Sequence, residues 1–139
     1  MRMFGKKYGF YPTNQPKLAY EIDILMEPVA GCQSVFGLQT LKQQWDVGKW
    51  TDAVRLIMTK CNESLTKNKG KFLHGNKLCI TDFFVAGFAF TYWDNDMHPG
   101  QSVLRDPTMD VFDAQFSEYL TRLKAELRPQ LDSRDPSPV

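Results

Sequence analysis

The stretch Leu78-Cys-Ile-Thr-Asp-Phe-Phe-Val-Ala-Gly-Phe-Ala-Phe-Thr-Tyr92 decides the fold. Ile80, Phe83, Phe84, Val85, Ala86, Phe88, Ala89 and Phe90 leave a helix here with no polar face. A helix that is apolar all round must be surrounded by protein, so the segment reads as the central helix of a bundle, spanning about residues 80–92.

The flanking sequence supplies helices to surround it. Thr13-Asn14 offers a cap and Pro16 suits a first helical turn, where its missing N–H would be unpaired anyway. Leu18, Ile22, Leu25, Val29, Cys32 and Phe36 then recur in steps of three and four along one helical stripe. Pro28 is expected to kink this long helix, and Gly31 and Gly37 to loosen its later turns. Trp50, Val54, Ile57, Cys61 and Leu65 form a second stripe, ending toward Gly70 with Lys67 and Lys69 where the helix dipole favours cations. Asp94 to Gly100 reads as a loop. Phe112, Phe116, Leu120, Leu123 and Leu127 make a last stripe, expected to end at Pro129. No segment alternates with period two long enough to claim a sheet, and there is no internal repeat. The pattern predicts an all-α helical bundle.

Composition narrows the function classes. The 139 residues suit one domain. With 17 basic and 16 acidic residues the net charge is +1, which removes the strong positive field that nucleic acid or an anionic membrane surface would require. The longest apolar run, Phe83 to Phe90, is far short of the ~20 residues of a membrane span. Cys32, Cys61 and Cys79 are widely spaced, which builds neither a disulfide framework nor a zinc site and fits a reducing, intracellular compartment, cytoplasmic or mitochondrial.

The segment from Phe72 to Asp82 resembles the hallmark of the glutathione transferase C-terminal domain: a glycine turn, an apolar residue, a Ser/Thr cap, and an Asp three positions later that opens the core helix. The physical content is a capping box, in which cap and N3 side chains satisfy each other's backbone amides. Gly75 falls at the turn, Leu78 at the staple position, Cys79 at the cap, Asp82 at the reciprocal carboxylate and Phe83 at N4. The cap departs from the pattern, because a thiol is a poorer hydrogen-bond partner than a hydroxyl, at about 1 kcal/mol. Tyr8-Gly-Phe-Tyr-Pro12 with Ala19-Tyr-Glu-Ile-Asp23 is similar to the family's passage from its linker into the first helix. The ending Leu131 to Val139 is similar to the Ser-Arg-Pro ending of several classes.

The resemblance implies a division into residues 1–12 as a remnant of the interdomain segment, 13–131 as the helical domain, and 132–139 as an extended tail. It also implies a function. Relatives bind and activate glutathione on a preceding thioredoxin-like domain, which this sequence does not show. The chain is therefore expected to be non-catalytic and to hold no cofactor, glutathione entering only if that domain is supplied elsewhere. Its expected role is that of a scaffold or assembly subunit in a larger complex. The alternative is a piece of a true transferase whose first domain lies on another chain or is missing from the sequence. Met3, Phe4, Tyr8, Phe10 and Tyr11 are too many apolar side chains for a free tail, and a protein partner is expected to cover them. Homodimerisation, common among relatives, is left open.

Other chemistry-bearing residues have plainer readings. Asp94, Asp96 and His98 carry metal-ligand chemistry but stand alone, as a solvated turn would. His74 has no nucleophile paired with it and reads as a turn residue. Cys61 reads as a small buried hydrophobe. Cys79, at a helix N-terminus, is the better candidate for a reactive thiol, against the opposing charge of Asp82.

Overall fold

The computed structural model describes residues 2–133, and among them it is all-α. The helices are α1 (Arg2–Lys7), α2 (Pro16–Gly31), α3 (Gln33–Lys42), α4 (Val47–Asn68), α5 (Ile80–Phe88), α6 (Gln101–Met109) and α7 (Ala114–Asp132). A π-helical turn, Ala89–Trp93, continues α5. The pairing of Phe72 with Gly75 is a lone β-bridge rather than a strand.

The apolar stripes become the core. Ile22, Leu25, Val29, Cys32 and Phe36 are all buried, as are Trp50, Val54, Ile57, Cys61 and Leu65 of α4. Each fully buried large side chain contributes about 1.5–3 kcal/mol relative to exposure. The helix expected at the centre packs on both α2 and α7, while α4 packs on α2, α3, α6 and α7. Phe36 is a hub of rings, with Trp50 edge-on at 4.7 Å and Phe88, Tyr92 and Trp93 within 5.8 Å. Edge-to-face contacts of this kind add to area burial because each ring's positive edge meets a negative face.

The structure revises three boundaries. The single long helix expected from the first stripe is two helices, and the break falls at Cys32 rather than at Pro28, which lies inside α2. Proline's missing N–H frees the carbonyl four residues earlier, that of Ile24, and so does not cause a break after it; the break follows Gly31, where the Cys32 N–H turns back to the Val29 carbonyl at 3.2 Å. Pro129 likewise lies inside α7, which runs on to Asp132, so Asp132 belongs to the last helix rather than to a tail. Residues 134–139 of the expected tail lie outside the described residues. The α6 helix, Gln101–Met109, has only Leu104 and Thr108 buried, too few apolar positions for a stripe to announce it.

Two glycines are required by geometry. Gly75 has φ +119°, which L-residues rarely adopt. Gly70 lies so close to Gly75 that a Cβ would fall 2.2 Å from the Gly75 carbonyl oxygen. The tight crossing of the 70–76 loop therefore depends on both, and it delivers the chain to the cap of α5.

Candidate functional site

Asp82, fully buried at the third position of α5, organises the start of the central helix. One carboxylate oxygen accepts the Cys79 N–H at 2.8 Å and the Cys79 thiol at 3.1 Å. The other accepts the Leu73 N–H at 3.1 Å and the Tyr119 hydroxyl at 3.0 Å. Four donors surround one buried charge, the condition under which burial of a carboxylate is tolerated. The group therefore ties three separate segments together: the 70–76 loop, the α5 cap and α7. Cap chemistry was legible in the sequence, but the Tyr119 bond was not, since nothing local links residues 37 apart. Leu78 and Phe83 are half-buried against the main core, and the ring that Phe83 meets is Phe10, at 4.7 Å.

Cys79 is not a reactive thiol. Burial, then the Asp82 charge, pushes its pKa up to about 12, so the sulfur stays protonated and donates to the carboxylate. Burial raises Cys32 and Cys61 as well. The helix N-terminus would favour a thiolate, but here the neighbouring carboxylate and the dry surroundings outweigh it.

Asp94, Asp96 and His98 do not converge. Asp94 pairs with Lys124, Asp96 with Arg105 at 3.1 Å, and both acids are exposed. His98 is buried, contrary to a solvated turn: its Nδ1 accepts the Gly100 N–H at 3.1 Å, so Nε2 carries the proton and donates to Thr40 Oγ1 at 3.0 Å. Thr40 in turn donates to the Phe36 carbonyl at 2.7 Å. Trp45 and Trp50 flank the imidazole at 5.4 and 5.6 Å. Among the described residues no group of three His, Cys, Asp or Glu could hold a metal ion. No helix among them is long and apolar enough to cross a membrane.

The aromatic N-terminus divides. Tyr11 faces inward, buried with Ile22, Cys79 and Ile80, and its hydroxyl donates to Asp23 at 3.0 Å. The Phe10 carbonyl accepts the Ile80 N–H at 2.9 Å, and the Gly5 carbonyl accepts the N–H groups of Phe10 and Tyr11 at 2.8 and 3.0 Å. Gly5 has no room for a side chain, since a Cβ would stand 2.8 Å from that of Tyr11. These bonds hold α1 against the start of α5, so it is a fixed element and not a free tail.

Held in that way, α1 and the turn that follows it leave Met3, Phe4 and Tyr8 facing outward at 72%, 58% and 60% exposure. On α2, Tyr20 and Ile24, one turn apart, are 66% and 50% exposed. Tyr20 and Ile24 line both of two grooves, each of about 660 Å³. One lies between them and α1, with Arg2, Met3 and Glu27; the other lies toward α4, with Lys17, Lys60, Glu63 and Lys67. The two apolar side chains thus form a ridge between charged furrows. Ion pairs border it, Arg2 with Asp23 at 2.9 Å and Lys67 with Glu21 at 2.8 Å. The Lys67 bond holds Glu21 below the ordinary carboxylate range. Tyr20 and Ile24 were missed in the sequence because they fall between the buried stripe positions; their i, i+4 spacing on the opposite face was the available signal.

Neither a protein-family model, nor a curated protein, nor a solved structure matches this chain.

Proposed function

We propose that the chain is a non-catalytic helical domain of the glutathione transferase C-terminal type whose work is assembly, with a protein partner seated on the ridge and grooves of α1 and α2. The observation that supports the reading is the ordered exposure of Met3, Phe4, Tyr20 and Ile24 on two helices, and of Tyr8 in the turn after the first, all tied into a closed core. Exposed apolar side chains scattered singly need no explanation, but a fixed, aromatic-rich set flanked by charges has the make-up of an interface: apolar anchors within a polar rim. The glycine-turn and Asp82 capping signature supports the family reading.

Native mass spectrometry of the protein isolated from its own source tests this, combined with photo-crosslinking from positions 8 and 20. A defined complex with crosslinks from both positions into one partner chain is the expected result. Ile24→Glu, at an exposed position where folding is little affected, should release that partner. A monomer in its native source, or a partner crosslinked elsewhere and retained by Ile24→Glu, overturns the reading. A crosslinked partner that is a thioredoxin-like, glutathione-binding domain would instead make the chain the helical half of a transferase.

A further inference from the structure

The acids and bases that line the two furrows beside Tyr20 and Ile24 pair off almost completely. Arg2 holds Asp23 at 2.9 Å, Lys67 holds Glu21 at 2.8 Å and Lys60 holds Glu63 at 2.8 Å. One cation and one anion are left over, Lys17 and Glu27, both exposed and, among the described residues, in no ion pair. They stand at opposite ends of the ridge, about 15 Å apart along the axis of α2.

Their placement is symmetric about a buried residue. Ile22 is fully buried and marks the inner side of α2. Tyr20 and Ile24 lie equally far before and after it, and so do Lys17 and Glu27. At 3.6 residues per turn, all four fall within about 40° of the direction opposite Ile22. The outer face of α2 therefore reads base, apolar, apolar, acid. Laid antiparallel on a copy of itself about a twofold axis, this face meets its own complement: Tyr20 meets Ile24 and Lys17 meets Glu27, each contact made twice. A parallel arrangement would set Lys17 on Lys17 and Glu27 on Glu27, so charge selects the antiparallel one. The crossing suits the shallow angle, about 20°, at which bundle helices pack. Glu21 and Asp23 lie on the flanks and are already neutralised by Lys67 and Arg2, so no uncompensated acid opposes the approach.

We propose that the partner on the α1/α2 face is a second copy of this chain, its α2 lying antiparallel on the first so that Lys17 of each copy faces Glu27 of the other; this rests on the reading of that face as an interface. Met3, which lines the furrow toward α1, adds apolar area on one flank.

Sedimentation velocity of the pure chain at low salt is the test. The apolar contact is small, so a dimer with Kd of about 10 µM is expected. Lys17→Glu and Glu27→Lys should each weaken it at least about 10-fold, because two attractive pairs become repulsive ones. Each change places a charge that the α2 dipole favours, an acid toward its N-terminus or a base toward its C-terminus, so neither weakens the helix itself. The double variant should dimerise like the parent. The two single variants, one with acids at both ends of the ridge and the other with bases at both, should dimerise with each other when mixed. A pure chain that stays monomeric to about 200 µM overturns the second copy as partner. A source complex crosslinked from position 20 would then still uphold the face as an interface, for a different chain. A dimer that neither swap weakens, or single variants that do not pair when mixed, overturns the antiparallel placement.

Discussion

Replacing Asp82 with alanine should be among the most damaging single changes in this protein. The substitution removes the acceptor of the Leu73 N–H, the Cys79 N–H and the Tyr119 hydroxyl, at 3.1, 2.8 and 3.0 Å, all in a site closed to solvent. A buried donor stranded in this way costs about 1–3 kcal/mol. Simple addition overstates the total, because the loop and cap can relax and admit water, so about 4 kcal/mol is expected. That is a large share of the roughly 5–15 kcal/mol that holds a domain of this size together. With a urea m-value of about 2 kcal/mol/M, the midpoint should fall by about 2 M. Tyr119→Phe removes one donor but leaves the carboxylate three others, and should cost about 1.5–2 kcal/mol. In the Asp82→Ala background the Tyr119 hydroxyl is already orphaned, so deleting it should cost little. The double-mutant cycle should therefore return a coupling of about 1.5 kcal/mol or more. Urea unfolding followed by far-UV circular dichroism measures all four proteins. A midpoint for Asp82→Ala within about 0.5 M of the parent, or a Tyr119→Phe cost independent of residue 82, would refute the view of Asp82 as the tie between loop, cap and α7.

Other consequences are open to measurement. Cys79→Ser should raise stability by about 0.5–1 kcal/mol, since a hydroxyl serves the cap better than a thiol; a lowered urea midpoint would count against this. A thiol-specific chromophoric reagent should label the folded protein slowly and all three cysteines at once in denaturant, because the thiols are buried and held protonated; rapid labelling of native Cys79 would contradict that. Stability should fall as pH drops from 7 to 5. Burial lowers the pKa of both His98 and His74 in the fold, so each adds stability above the unfolded value near 6.5 and loses it as pH falls toward the lower folded value. Urea midpoints across that range check this, and His98→Gln should flatten the slope. A midpoint constant from pH 7 to 5 in the parent would show that neither imidazole is held neutral by the fold.

How much of this was legible beforehand follows from range. Stripes at helical spacing report a partner face without naming the partner, and Trp50 to Leu65 was buried as read because burial there depends only on facing inward. The cap of α5 was legible because its chemistry is local: Gly75, Cys79 and Asp82 lie within eight residues of one another. The bond from Tyr119, the seat of His98 beneath Trp45 and Trp50, and the inward turn of Tyr11 depend on packing between segments far apart in sequence. Tyr11 looked like its neighbours Tyr8 and Phe10. What separates it from them is Gly5, whose missing side chain lets α1 approach closely enough to cover it. The π turn left no periodic signal, because in an apolar run a shift from four- to five-residue bonding changes no residue type.

The candidate interface and the capping site are linked through the backbone. Phe10, which leads out of α1, is bound by its carbonyl to the N–H of Ile80, the first residue of α5. That N–H belongs to the unpaired first turn of the helix and would otherwise need water or a cap. Cys79, the residue before it, is held by Asp82, so one carboxylate fixes the position of the turn on which the N-terminal segment rests. The apolar side of Phe10 closes the same contact on Phe83. Damage at Asp82 should therefore loosen α1 before it loosens α4, whose core contacts lie with α2, α3, α6 and α7. Hydrogen exchange of Asp82→Ala below its unfolding transition separates the two cases. Faster exchange confined to residues 5–11 and 73–83 supports the linkage, while uniform acceleration that includes α4 would mean that the capping site and the exposed ridge rise and fall only with the whole fold.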